Sequence, residues 1–278
     1  MPAQVPANGA SLSVVDEGEG RPLVFLHGVM CSARFFDAQV ERLSSSFRVI
    51  APDMRGHGDS EKRLDGHTVP TYARDLRAVL DVLAVDHPVL IGWSMGAMVA
   101  YEYLRAFGWD SASGLVIVDQ PPADYAWGDG YAFGLFTPAI LAQAVEGIQT
   151  DLGAVGHEWA ELMLHAPTSE TVAFFVGEFT KVPPAIGTSI LVDQTLRDYR
   201  DFIPTIEVPT LVAFGGDDKA TSPDAGRWIA ERIRGSTLRI FEASSHAPFF
   251  EEPDAFAAAL TDFVGTATLR GNAVARQP

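Results

Sequence analysis

Three short stretches of this chain hold residue types that could carry out covalent chemistry together. In "VLIGWSMGAMVAYEYL" (89–104), Ser94 lies between Gly92 and Gly96 in the pattern G-x-S-x-G. An apolar run precedes it and a helix-like run follows, so the serine stands at a strand-to-helix turn. A nucleophile held there takes a strained backbone, and glycines two residues to either side permit the close approach the turn demands. The N-terminus of the following helix also directs free N–H groups at developing negative charge.

A serine hydroxyl is a weak nucleophile without a base. His246, in "FEASSHAPFFEEPDAF" (241–256), follows the last predicted strand and so lies at the same C-terminal sheet edge as Ser94. His27 and His57 also stand at strand ends, but each is beside a glycine turn, where imidazole commonly bonds the backbone. His67, His87, His157 and His165 have no comparable setting. The base needs an acid to hold its tautomer. In "PTLVAFGGDDKATSP" (209–223), Asp218 is preferred to Asp217 by its spacing from Gly215 and Pro223, and it completes the chain order Ser94, Asp218, His246. Asp119, ending "GLVIVDQ", is a third candidate. An oxyanion would be held by the Met95 N–H and by the Val29 N–H from the loop after "LVFLHG".

These residues need a scaffold, and the hydrophobic pattern supplies one. Runs at 22–27, 47–53, 88–93, 114–119, 209–215 and 237–243 are continuously apolar in character, as strands buried on both faces of a parallel sheet should be. Helical spacing separates them, in "ARFFDAQVERLSS", "TYARDLRAVLDVLA", "DAGRWIAERIRG" and "DAFAAALTDFV". The alternation predicts a doubly wound, mostly parallel α/β sheet. The rhythm breaks at 121–205, which has no convincing strand and many aromatics. That segment is expected to form a helical cap, with 1–120 and 206–268 as the core and 269–278 as a flexible tail. Trp127, Phe133, Phe136 and Trp159 are its candidate pocket residues. Trp93 could join them or pack beneath the turn, and packing is the preferred reading.

The chain has 278 residues, 47% hydrophobic, and a formal net charge of −16. That charge argues against nucleic acid and against an anionic membrane surface. No Cys/His cluster offers a metal site, and no phosphate loop or dinucleotide fingerprint is present, so neither metal nor cofactor is expected. The single cysteine, Cys31, excludes an internal disulfide and suits a reducing compartment. The N-terminal stretch lacks a signal-peptide pattern and no apolar run is long enough to span a membrane, so a cytoplasmic protein is expected. The expected partner is a small-molecule substrate; a monomer and a homo-oligomer fit equally.

With those residues placed, the chain resembles the α/β-hydrolase superfamily over about 10–265. The stretches that carry the likeness are "LHGVMCSARFFDAQVERLSSSFRVIAPDMRGHGDS", "IGWSMGAMVA", "LVAFGGDD" and "SSHAPFFEEPDAF". Within it, the chain is similar to the cofactor-free haloperoxidase, esterase and lactonase branch. The resemblance implies the same triad and oxyanion donors, and a helical cap after the strand ending at Asp119. Ala97 replaces a glycine that many relatives carry after the turn. Ser94 separates the chain from haloalkane dehalogenases and epoxide hydrolases, which use aspartate there. The expected activity is hydrolysis of a small to medium, partly apolar ester or lactone through an acyl-enzyme. The alternatives are a cofactor-free oxygenase or perhydrolase, and a slow-turnover ligand sensor.

Overall fold

A computed structural model describes residues 2–274. Eight strands form one sheet: β1 (Ala3–Ala7), β2 (Ala10–Glu17), β3 (Pro22–Leu26), β4 (Arg48–Pro52), β5 (Val89–Trp93), β6 (Gly114–Val118), β7 (Thr210–Gly215) and β8 (Thr237–Phe241). Their spatial order is β1-β2-β4-β3-β5-β6-β7-β8. β1 and β2 pair antiparallel, β2 joins β4 antiparallel, and every other pairing is parallel.

The hairpin of β1 and β2 adds two strands to the six expected from the hydrophobic runs. Its turn is Asn8-Gly9, with φ of 48° and 79°, the left-handed pair that a two-residue hairpin turn favours. β8 departs from expectation in another way. It alternates in exposure instead of being buried throughout, because it is the outer strand and has a neighbour on one side only.

The helices between core strands are α1 (Asp37–Leu43), α2 (Val69–Val82) and α3 (Met95–Phe107). Thr68 starts α2 by accepting from the Thr71 N–H. Between β6 and β7 the chain builds α4 (Pro138–Thr150), α5 (Leu152–Met163), α6 (Ser169–Phe179) and α7 (Pro184–Thr195). Thr137, Asp151 and Thr168 cap the first three through their side chains. Buried Glu178 on α6 ties this helical insertion to the loop after β3, accepting from Ser32 Oγ at 2.8 Å and pairing with Arg34 at 2.7 Å.

After β7 come α8 (Pro223–Arg232), α9 (Pro248–Glu251) and α10 (Pro253–Val274). Of the stretch 269–278 expected as a tail, α10 includes residues up to Val274, and 275–278 lie outside the described residues. Among the described residues, no helix is long and apolar enough to cross a membrane.

Candidate active site

β5 lies between β3 and β6, buried along its whole length. At its C-terminal end Ser94 turns the chain into α3 with φ 53° and ψ −125°. The Ser94 N–H donates to the Val118 carbonyl of β6 at 3.0 Å, and the Ser94 carbonyl accepts from the Ala97 N–H at 2.9 Å. Neither Gly92 nor Gly96 has positive φ, so the strain of the turn is held by the serine itself. The glycines serve contact distance. A Cβ on Gly96 would fall on the Leu26 carbonyl oxygen, and one on Gly92 would fall on the backbone of Ala97. Both obstacles are backbone and cannot rotate away. Gly96→Ala should therefore destabilise the fold by about 3 kcal/mol, measured by denaturant unfolding; an unchanged midpoint would show that the β3 loop can yield.

His246 sits on the loop between β8 and α9. Its backbone N–H donates to the Met163 carbonyl at 3.0 Å, and its own carbonyl accepts from Trp93 Nε1 at 2.8 Å. Two carboxylates face its Nδ1: Asp119 Oδ1 at 3.2 Å and Asp218 Oδ2 at 3.4 Å. The Thr221 hydroxyl lies against both, in hydrogen-bond contact with Asp119 Oδ1 and Asp218 Oδ2. The other Asp119 oxygen accepts from the Gly215 N–H at 2.8 Å. Asp119 also has a left-handed backbone, with φ 46°. The preferred candidate for the acid, Asp218, and the third candidate, Asp119, thus stand side by side, beyond the ends of adjacent strands β7 and β6. Asp217 faces elsewhere and bonds exposed His165 at 2.7 Å.

The charges of this group are interdependent. Burial, reinforced by the charge of Asp218, pushes the Asp119 carboxyl well above the usual carboxylate range. For Asp218 burial acts the same way, but hydrogen bonds from His246, Asp119 and Thr221 overcome it and hold this carboxyl low. For His246, burial disfavours the imidazolium, yet hydrogen bonds and charge from Asp119 and Asp218 prevail and raise it to about 10. One carboxyl and one carboxylate beside one imidazole is the arrangement these directions describe.

The N–H groups of Val29 and Met95 have no backbone acceptor among the described residues. Met95 opens α3, and Val29 lines the cavity that holds Ser94 and His246. No hydrogen bond links Ser94 Oγ with His246 Nε2 among the described residues. Such contacts are commonly long in an unliganded site and tighten around substrate. His27 and His57 are committed to the backbone: His27 meets the Gly28 carbonyl at 2.8 Å and accepts from the Met54 N–H at 2.9 Å, while His57 meets the Arg55 carbonyl at 3.0 Å.

The cavity has a volume of about 570 Å³. Phe136 and Trp159 line it; Trp93, Trp127 and Phe133 do not. Trp93 is fully buried and packs on Phe249 and Phe35, with ring centroids 4.9 and 5.4 Å away. Trp127 stands exposed against Tyr125, and Phe133 packs on Tyr131. These two belong to the loop before α4 and pair with tyrosines of that same loop. Gln120, Asp124, Gln194 and Thr221 line the cavity without having been among the candidates. Gln120 was findable, since it follows Asp119 directly at the sheet edge where ligands bind. Gln194 lies in α7 with nothing local to mark it.

The end of α5 closes over the histidine loop. Leu162, Met163 and Leu164 offer carbonyls with no partner inside their helix. They accept from Ser245 Oγ at 3.2 Å, the His246 N–H at 3.0 Å and Lys219 Nζ at 3.0 Å.

Comparison with known proteins agrees with this architecture. Residues 23–259 match the model of the alpha/beta hydrolase family. A pimeloyl–acyl-carrier-protein methyl ester esterase of Neisseria meningitidis is 31% identical, over 88% of this chain and 77% of the relative. A non-heme chloroperoxidase of Streptomyces lividans is 28% identical, over 93% and 97%. An esterase from Exiguobacterium antarcticum superposes with a TM-score of 0.90 at 28% identity, covering 95% of this chain and 100% of that one. A glycine-flanked serine at a strand end, a histidine loop after the last strand and an eight-stranded, mostly parallel sheet agree with that match: the chain belongs to the alpha/beta hydrolase family.

Proposed function

We propose that this hydrolase cleaves small to medium, partly apolar carboxylic esters or lactones through an acyl-enzyme on Ser94, with residues 121–205 acting as a cap. The observation that carries this reading is the convergence of a strained Ser94, His246 and the Val29 loop on one cavity. In the proposed cycle, His246 Nε2 takes the Ser94 hydroxyl proton as Oγ attacks the substrate carbonyl carbon. The resulting oxyanion lies against the Val29 and Met95 N–H groups. The imidazolium, steadied by the carboxyl pair of Asp119 and Asp218, returns the proton to the leaving alkoxide, and the acyl group remains on Ser94. A water deprotonated by His246 then attacks that ester, and the acid leaves as the serine regains its proton.

The esterase relatives support the ester chemistry. The mainly apolar lining, with Phe136, Trp159 and Leu191 among it, supports a partly apolar substrate. The chloroperoxidase relative favours one second reading: hydrogen peroxide in place of water would release the acyl group as a peracid.

The test is turnover of p-nitrophenyl butyrate together with labelling by a fluorophosphonate. The expected result is hydrolysis, with stoichiometric label on Ser94 and loss of turnover. Absence of both, in folded protein, overturns the proposal.

A further inference from the structure

The cavity wall carries acceptors that no part of the proposed cycle uses. Asp124 is 2% exposed and Gln194 is 3% exposed, and both line the cavity shared with Ser94 and His246. Asp124 Oδ1 accepts from Gln120 Nε2 at 2.7 Å, while Oδ2 has only a long contact of 3.4 Å from Gln194 Nε2. The Gln194 Oε1 atom has no partner at all among the described residues. The Gln120 donor is committed, since its Nε2 also donates to the Pro121 carbonyl at 2.8 Å.

The Asp124 side chain is not explained by the loop it belongs to. The turn from 124 to 136 is held by the backbone of Asp124, whose carbonyl accepts from the Leu135 and Phe136 N–H groups at 2.7 and 2.9 Å. Its side chain is left out of that work. No lysine or arginine pairs with it among the described residues, and burial raises its carboxyl to about 6. A buried acceptor without a donor is destabilising, and such groups are rare in folded chains unless a ligand or water meets them. Polar groups few in number, set in an otherwise apolar cavity, are also what orients a bound molecule.

We infer that Asp124 and Gln194 form a recognition point for a hydrogen-bond donor on the substrate, so that the preferred ester or lactone bears a hydroxyl or amide N–H away from its reacting carbonyl. This rests on the serine hydrolase reading above and narrows its substrate class. The charge around the cavity points the same way. Asp151 and Glu158 also line it, against Lys219, whose ammonium is engaged by the Leu164 carbonyl. A substrate ending in a carboxylate would meet repulsion there.

The experiment compares p-nitrophenyl esters of four- to eight-carbon acids that end in methyl, hydroxyl or carboxylate. Wild type should favour the hydroxyl ester over the methyl ester of equal length by on the order of tenfold in kcat/KM at the best length, with the carboxylate ester poorest. Asp124→Asn should reduce that ratio to near one, because its new amide hydrogens satisfy Gln194 Oε1 and remove an acceptor from the cavity. Gln194→Leu serves as a second variant, should Asp124→Asn fold poorly, and should reduce the ratio as well. Thermal melts establish that each variant is folded. Hydrolysis with no hydroxyl preference at any length, or a preference that both variants retain, overturns the recognition point and leaves the hydrolase reading standing. Absence of Ser94-dependent hydrolysis for every ester overturns both.

Discussion

Ser94→Ala is expected to lower kcat on p-nitrophenyl butyrate by on the order of 10⁶, with KM changed little. The size follows from what the hydroxyl does in the proposed cycle: it is the atom that bonds the acyl group, and no neighbouring side chain can replace it. The cavity, the Val29 and Met95 amides and the histidine all remain, so a small residual rate over the uncatalysed reaction should persist. His246→Ala should cost nearly as much, and the double variant little more than either single, because nucleophile and base act as one unit. Pre-steady-state mixing supplies the check. Wild type should release a burst of p-nitrophenol equal to the enzyme concentration if deacylation is slow, and Ser94→Ala should release none. Substantial turnover in Ser94→Ala would remove the acyl-enzyme from the mechanism.

The second large effect concerns the acid. The double variant Asp119→Asn, Asp218→Asn should fall by about 10⁴ in kcat, since an imidazole with no carboxylate at Nδ1 is held in the wrong tautomer. Each single variant should lose far less, on the order of 10², because the other carboxylate still accepts from Nδ1. That pattern follows from the near-equal distances of 3.2 and 3.4 Å. The sign of the pH effect is also determined. The base acts when deprotonated, so kcat/KM rises with pH through the His246 titration. Hydrogen bonds and charge from Asp119 and Asp218 raise that titration above its ordinary value of 6.5. Asp218→Asn removes the carboxyl that is held ionised, so in that variant the acid limb should move to lower pH. A full loss in Asp218→Asn alone, beside a silent Asp119→Asn, would show that Asp119 plays no part.

Much of this architecture was legible in the residues because burial on both faces leaves a plain mark. The runs ending at Leu26, Trp93, Val118 and Gly215 are apolar throughout, and each is a fully or almost fully buried strand. The β1–β2 hairpin was missed for the opposite reason: its strands are partly exposed and not continuously apolar, so Asn8-Gly9 was their strongest signal. Ser94 stands at the strand end that the glycine spacing predicts, and His246 follows the last strand as chain order predicts. That Asp119 stands as near His246 as Asp218 does was not visible in the residues, because it depends on β6 and β7 being neighbours, which aligns two strand ends beside one imidazole. Trp93 shows a related limit, since which face of the sheet a strand-end side chain takes is settled only by the packing around Phe249 and Phe35. Gln194 meets Asp124 from seventy residues away, and no local pattern announces such a meeting.

The junction at the end of α5 has a mechanical meaning. Three successive carbonyls of the helical insertion clasp Ser245, His246 and Lys219, so this corner and the histidine loop travel as a single piece. Swinging α5 outward would pull the imidazole away from its carboxylates. A door hinged there would disarm the site each time it opened. In the proposed cycle the clasp therefore ties this part of the insertion to the alignment of His246, and any opening that admits substrate has to leave the Leu162, Met163 and Leu164 carbonyls in place.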